Sequence, residues 1–303
     1  MIRENKNGKN IWIDVESPTK DEVKGLMERF NLDPALADDI VTPGIRTKID
    51  LYSDCVFLAL YFPAVKHSHH KSNIQEIDFI LGKNFLITIH YDTIDAINVF
   101  SKMFEVDAIL GHSEDTHAGF VFYQLLSRLY ESSMNELEYI NDSLQHIETR
   151  IFKGEEKKVV HDLLVIGRDL IHFKQTIGAH DDVLSAFKLV VERIFDNGFS
   201  YHVDIIITAY KKIYKEIKTR REFLDELRNT NDSLLTTRQN ETMRVFTMLA
   251  LFTFPLSLIV SILSLPTTYR PIIGQPNDFF LIIGILVSCF LLMVVFFKNK
   301  HWM

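Results

Sequence analysis

Cysteine is nearly absent from these 303 residues: Cys55 and Cys289 are the only two. One falls in a β-rich run and the other in an apolar run near the end. A shared disulfide is therefore not expected, and both read as packing residues in a reducing compartment. Proline is missing from Asp115 to Phe254, where glycine is confined to Gly119, Gly154, Gly167, Gly178 and Gly198, so little there breaks a helix. Basic residues are in deficit, 33 Lys and Arg against 40 Asp and Glu, a formal charge of −7. That balance argues against direct nucleic-acid binding and suits cations as partners. No nucleophile elbow, phosphate loop or HExxH motif occurs, so catalysis has no foothold and no enzyme is expected. The N-terminal MIRENKNGKN lacks the apolar core of a signal peptide.

Long apolar runs are missing too, until the end. Val245 to Leu265 and Phe279 to Phe297 are two such runs, separated by the polar stretch PTTYRPIIGQPND. At about 1.5 Å per helical residue each crosses a hydrocarbon core roughly 30 Å thick. The sequence thus predicts a two-span hairpin in the lipid bilayer, preceded by a large water-soluble portion. Arg238 and Arg244 precede the first span and Lys298, Lys300 and His301 follow the second, whereas the connecting loop carries only Arg270 and Asp278. Positive charge on that side places both termini in the cytoplasm and the protein in the cytoplasmic membrane.

The fold class this implies is an α+β cytoplasmic domain with long helices, followed by the transmembrane hairpin: an α/β domain over 1–115, a long-helix stalk over 116–240 and the membrane domain over 241–303. IWIDV alternates as a strand does. PTKDEVKGLMERF is a short amphipathic helix opened by Ser17 and Pro18, and DPALADDIV is another. LYSDCVFLALYFPAV, QEIDFILG and NFLITIHY are three β-rich runs. Beyond Gly119 we expect one helix over 119–152, a second over 155–195 and a third from Tyr201 straight into the first span. Along the third, Val203, Ile206, Ile207, Tyr210, Ile213, Tyr214, Ile217, Phe223, Leu224 and Leu227 recur three and four apart, an apolar stripe that needs partner helices. Two spans cannot enclose a conducting path alone, so several copies would have to surround an axis if ions cross here.

Polar residues in and just before the first span are patterned as well. Asn240, Thr247, Ser257, Ser261 and Ser264, with Met243, Ala250 and Phe254 between them, follow one helix face. The seam fits the wall of a water-filled pore. It equally fits a dry helix contact, where small polar residues let backbones approach. Pro255 removes one backbone donor and frees a carbonyl. Met243, Phe246 and Phe254 make apolar collars that would close a path by dewetting.

Together these segments resemble the CorA family of divalent-cation (magnesium) transporters. WIDVESPTKDEV, NLDPALADDIVTPGIRTKIDLYSDCVFLALYFP, DFILGKNFLITIH, IGAHDDVLSAF and NETMRVFTMLALFTFPLSLIVSI all look like that family's stretches, in its order. The resemblance implies a funnel-shaped homopentamer, with the long third helix lining a pore and the second span outside it. It puts Asn240, Met243, Phe246, Phe254 and Ser257 at pore-lining positions. The family's Gly-Met-Asn signature falls on Ser264, Leu265 and Pro266. An Asn ring holds the waters of a hydrated magnesium ion with amide oxygens, which leucine and proline lack, so a serine hydroxyl ring suits a less selective path. The family's acidic pore entrance is Asn229 here. The resemblance also implies regulation by a divalent cation, whose carboxylates fall on Asp38, Asp39 and Asp204.

Two further ligand readings arise. His67, Ser68, His69 and His70 form a histidine-rich run of the kind that binds zinc. A small nucleotide messenger gating an unselective pore, as in the divergent CorA-like effectors of type III CRISPR defence, would need a basic pocket drawing on Arg150, Arg168, Arg220 or Arg221.

Overall fold

The computed structural model describes residues 2–41, 44, 47–64, 74–110, 117–195, 198–265, 272–273 and 277–299. The run His67 to His70, together with Pro266 and Arg270, lies outside them. The described chain divides into two compact units, 1–229 and 230–303.

In the first unit the β-rich runs build a six-stranded sheet: β1 (Ile2–Asn7), β2 (Asn10–Glu16), β3 (Lys48–Leu51), β4 (Cys55–Pro63), β5 (Ile74–Gly82) and β6 (Phe85–His90). Their order is β1-β2-β6-β5-β4-β3. Only the β2–β6 pair is parallel. The alternation of IWIDV predicts one wet face, yet both faces of β2 are buried. Helices on both sides cover them. α1 (Lys20–Phe30) and α2 (Leu36–Val41) bring Val23, Leu26, Leu36 and Ile40 against Ile13, Val15, Phe57, Ile80, Ile87 and Ile89. The opposite face receives α3 (Asp95–Leu110) and α4 (Ala118–Phe152). Trp12 stands edge-on to Phe100 and Phe104 there, at 5.1 and 5.6 Å, and Phe79 to Phe122 at 5.2 Å.

Local signals set the helix ends, with three departures from expectation. α1 is capped by Thr19 rather than opened at Ser17, because Thr19 and Glu22 complete a reciprocal capping box while Ser17 takes a left-handed φ of 48°. The helix expected over 155–195 is two, α5 (Glu156–Gly178) and α6 (His180–Ile194). His180 opens α6 just after the break at Ala179, its ring buried and bonded through Nδ1 to the Tyr130 hydroxyl and through Nε2 to the Tyr61 carbonyl, both 2.8 Å. Since a carbonyl only accepts, Nε2 carries the proton and Nδ1 accepts from Tyr130. Burial holds this imidazole neutral, near 4. Finally, β1 and α3 were not expected: β1 is polar or charged beyond Ile2, and the period in DAINVFSKMFEVDAIL is weak.

The last two helices are α7 (Ser200–Leu263), 64 residues without interruption, and α8 (Asp278–Asn299). Both hold windows apolar and long enough to cross a membrane. Residues 200–229 of α7 belong to the first unit, where Val203, Ile206, Tyr210, Ile213, Ile217, Leu224 and Leu227 of the stripe are buried, whereas Ile207 and Phe223 are half-buried and Tyr214 is exposed.

Candidate ion pathway on the long helix

Within the second unit Phe252 fixes which face of α7 meets α8. Its ring lies 5.5 Å from Phe290 and 5.3 Å from Phe297, and Phe297 is buried. At about 100° per residue, Met248, Pro255, Leu256, Ile259 and Leu263 fall within about 60° of Phe252, and all are half-covered. Asn240, Met243, Phe246, Thr247, Phe254, Ser257, Ser261 and Ser264 fall at least about 120° away, and every one is exposed in the single chain. Within the hairpin the seam is therefore not a contact with α8. It is the uncovered side of the helix.

The hydroxyls on that side are oriented by their own helix. Thr247 donates to the Met243 carbonyl and Ser264 to the Val260 carbonyl, each at 2.8 Å. With their protons so engaged, the oxygens turn lone pairs outward as acceptors. Water molecules around a cation point hydrogens away from it, so acceptors are what a hydrated cation needs. Leu265, next in the row, is exposed and offers no oxygen. Met243, Phe246 and Phe254 are 58, 62 and 73% exposed on the same side, large apolar surfaces left uncovered by the described residues.

Two of the three carboxylates expected to regulate are engaged within the chain. Asp39 on α2 pairs with Lys48 at 2.7 Å, and Asp204 on α7 with Lys188 at 2.6 Å. Asp38 also lies on α2, but its side chain is outside the described atoms. Among the described residues no three His, Cys, Asp or Glu side chains are grouped to hold a metal.

The arginines proposed for a nucleotide are also largely committed. Arg150 binds Glu155 at 3.0 Å and Asp162 at 2.6 Å, and Arg220 binds Glu216 and the Leu137 carbonyl. Arg150 borders a cleft of about 480 Å³ between α4 and α5, where Asp142, Asp162 and Asp169 outnumber it. His146 and His161 also line it. Arg168 and Arg221 are not among its walls.

Sequence reasoning missed two buried polar groups in the sheet. Asp14 Oδ1 accepts from the Thr88 hydroxyl at 2.7 Å and pairs with His90 Nε2 at 3.1 Å, while Trp12 Nε1 donates to Thr88 at 3.1 Å. Burial opposes the charge on His90, but the bond to Asp14 and its charge outweigh burial and raise the imidazole above its ordinary value. On the other face lie Glu76 and Asp78, whose alternate spacing in QEIDFILG was the available signal. Cys55 is buried on that face as well, its thiol pushed up to about 11.

Comparison with known proteins places this geometry. Over 293 residues the chain is 22% identical to the cobalt/magnesium transport protein CorA of Thermotoga maritima, covering 96% of this chain and 83% of that protein. With the cobalt/magnesium transport protein CorA of Methanocaldococcus jannaschii it shares 23% over 297 residues, 96% and 91% of the two chains. The complete structure of the CorA magnesium transporter from the latter organism superposes with a TM-score of 0.86 at 20% identity, over 98% of this chain and 93% of that one. That likeness establishes the fold: a sheet-and-helix body, a long helix continuous into an apolar span, and a second span beside it. The family model for CorA-like Mg2+ transporter proteins matches residues 7–299, nearly the full length, and the chain belongs to that family.

Proposed function

We propose that five copies of this chain surround an axis in the cytoplasmic membrane, both termini inside, and pass cations down their gradient along the uncovered seam of α7. Transport by the relatives named above supports a divalent cation as the ion. The observation that carries the reading is the segregation on α7: Asn240, Thr247, Ser257, Ser261 and Ser264 avoid the α8 side and share one face with Met243, Phe246 and Phe254. In such an assembly the hydroxyl oxygens accept from the ion's waters, and the apolar rings between them set the barrier that the cytoplasmic body opens or closes. Ser264 stands where the family has its signature, so the outermost ring is hydroxyl rather than amide. Selectivity for magnesium is correspondingly weak. The acidic lining of the α4–α5 cleft gives no support to a nucleotide as the gating ligand.

The test is uptake of fluorescently reported divalent ions into proteoliposomes holding the full chain. Flux is expected, and none under any metal or membrane-potential condition sinks the proposal. Ser264→Asn should raise the preference for Mg2+ over monovalent ions about tenfold, the equivalent of ~1.4 kcal/mol. An unchanged preference means that Ser264 does not face the conduit.

A further inference from the structure

The sheet face beneath α2 holds two carboxyls that the ion pathway does not use. Glu76 and Asp78 stand two apart on β5 and so point the same way. Tyr61 and Ala59 of β4 lie opposite them, and Ile89 of β6 flanks Asp78. Asp78 is fully buried, and neither of its oxygens meets an N–H or hydroxyl donor. The Glu76 carboxyl stands two residues along on the same face, and its charge acts on Asp78. Glu76 Oε1 in turn accepts the Gly44 N–H at 2.8 Å. The titratable groups facing Asp78 are Glu76 on its own strand, Tyr61 on β4, Tyr91 after β6, Asp39 on α2 and Lys48 on β3. Lys48 is already held by Asp39 at 2.7 Å and Asp50 at 3.2 Å. Tyr91 donates to the Ile40 carbonyl of α2 at 3.1 Å.

An ionised carboxylate buried without a donor is among the costliest arrangements a fold can contain. A second carboxylate beside it makes matters worse, and one proton between the two resolves both costs: the protonated oxygen donates, the ionised partner accepts. Burial, then the charges of Glu76 and Asp39, push Asp78 up to about 8. We propose that Glu76 and Asp78 share a single proton, and that this proton fastens α2 and the backbone at Gly44 to the sheet, making the body responsive to alkaline conditions. When it leaves, two negative charges meet beneath Ile40. Glu76 then gains by swinging to water, which releases the Gly44 N–H and loosens α2. The sign follows from linkage. The folded protein holds a proton that the unfolded chain has already lost, so stability falls as pH climbs from about 4 to about 8 and is level beyond.

The experiment follows amide exchange across α2 in the full-length protein in detergent, corrected for intrinsic exchange, from about pH 6 to about pH 9. Wild-type protection of α2 is expected to fall about tenfold over that range. In Asp78→Asn the amide still donates to Glu76 but does not titrate, so the profile should be flat. Parallel profiles in the two proteins overturn the proposal. Should Asp78→Asn fail to fold, infrared spectroscopy of the wild type and Glu76→Gln serves instead. The carbonyl band of a protonated carboxylic acid should be present at neutral pH in the wild type and vanish at alkaline pH. Glu76→Gln removes the neighbouring charge but leaves the other raised carboxyl, Glu136, untouched, so part of the band should vanish at lower pH, and bands that titrate alike in the two proteins overturn the proposal. Absence of that band at neutral pH rejects the idea. So does protection that follows Na+, K+ or Mg2+ concentration at fixed pH, which assigns a metal rather than a proton.

Discussion

Polar groups meet opposite fates in the two units. In the body, Asp14, Thr88, His90, Trp12, Tyr130 and His180 are buried and answer one another across elements far apart in sequence. In the hairpin, the hydroxyls of Thr247 and Ser264 answer only the turn below them and leave their oxygens uncovered. These groups of the body complete their hydrogen bonding within one chain. The hairpin leaves a whole helix face for something outside the chain, which on the proposed function is copies, water and ions.

The contrast is sharpest for aromatic truncation. Phe122 is fully buried, edge-on to Phe79 and Phe187 at 5.2 Å each, so Phe122→Ala should cost ~3–5 kcal/mol in denaturant or thermal unfolding. Phe254→Ala removes the same atoms from an uncovered face and should cost about 1 kcal/mol or less, while flux through proteoliposomes rises as a collar is lost. Equal destabilisation by the two substitutions breaks the comparison.

Next comes the buried pair Asp14–His90. Because His90 titrates above its ordinary value when folded, its pairing contributes fully below the unfolded pKa near 6.5 and fades as pH rises through the folded value. His90→Gln should therefore destabilise by about 1–3 kcal/mol at acid pH and by less at alkaline pH. A penalty that grows with pH contradicts the assignment.

The smallest effect belongs to the surface. Arg29 and Lys6 hold exposed Glu4 down to about 2, and Arg29 grips it through two bonds of 2.8 Å. Solvent screens such pairs, so Glu4→Gln should cost no more than about 1 kcal/mol at neutral pH. That difference should vanish as acid carries the solution from the unfolded carboxylate range through the folded value, and shrink in high salt.

Much of this organisation was legible in the residues. Both spans, the unbroken helix into the first of them, and the three central strands follow from apolar period and from the absence of proline. The seam was visible as a spacing. Which side of α7 it occupied was not, because that depends on Phe252 meeting Phe290 and Phe297, a tertiary fact. The placing of His180 escaped notice for a like reason: nothing in IGAHDD marks a ring that will find Tyr130 and a carbonyl of β4. β1 was hidden because an edge strand can be polar along almost its whole length. Glu76 and Asp78 were in view within QEIDFILG, but alternation cannot tell a wet face from one that a short helix later covers.

The burial of Cys55 has a practical bearing on the conduit. Its thiol sits in the body's core with thiolate formation suppressed, and Cys289 lies on α8, in an apolar span. Neither native sulfur should compete for aqueous, charged thiol reagents, which require the ionised form and access from water. Residues 240–264 can then be replaced one at a time and probed in the native background, and the rhythm of modification along the helix would trace the wetted wall directly.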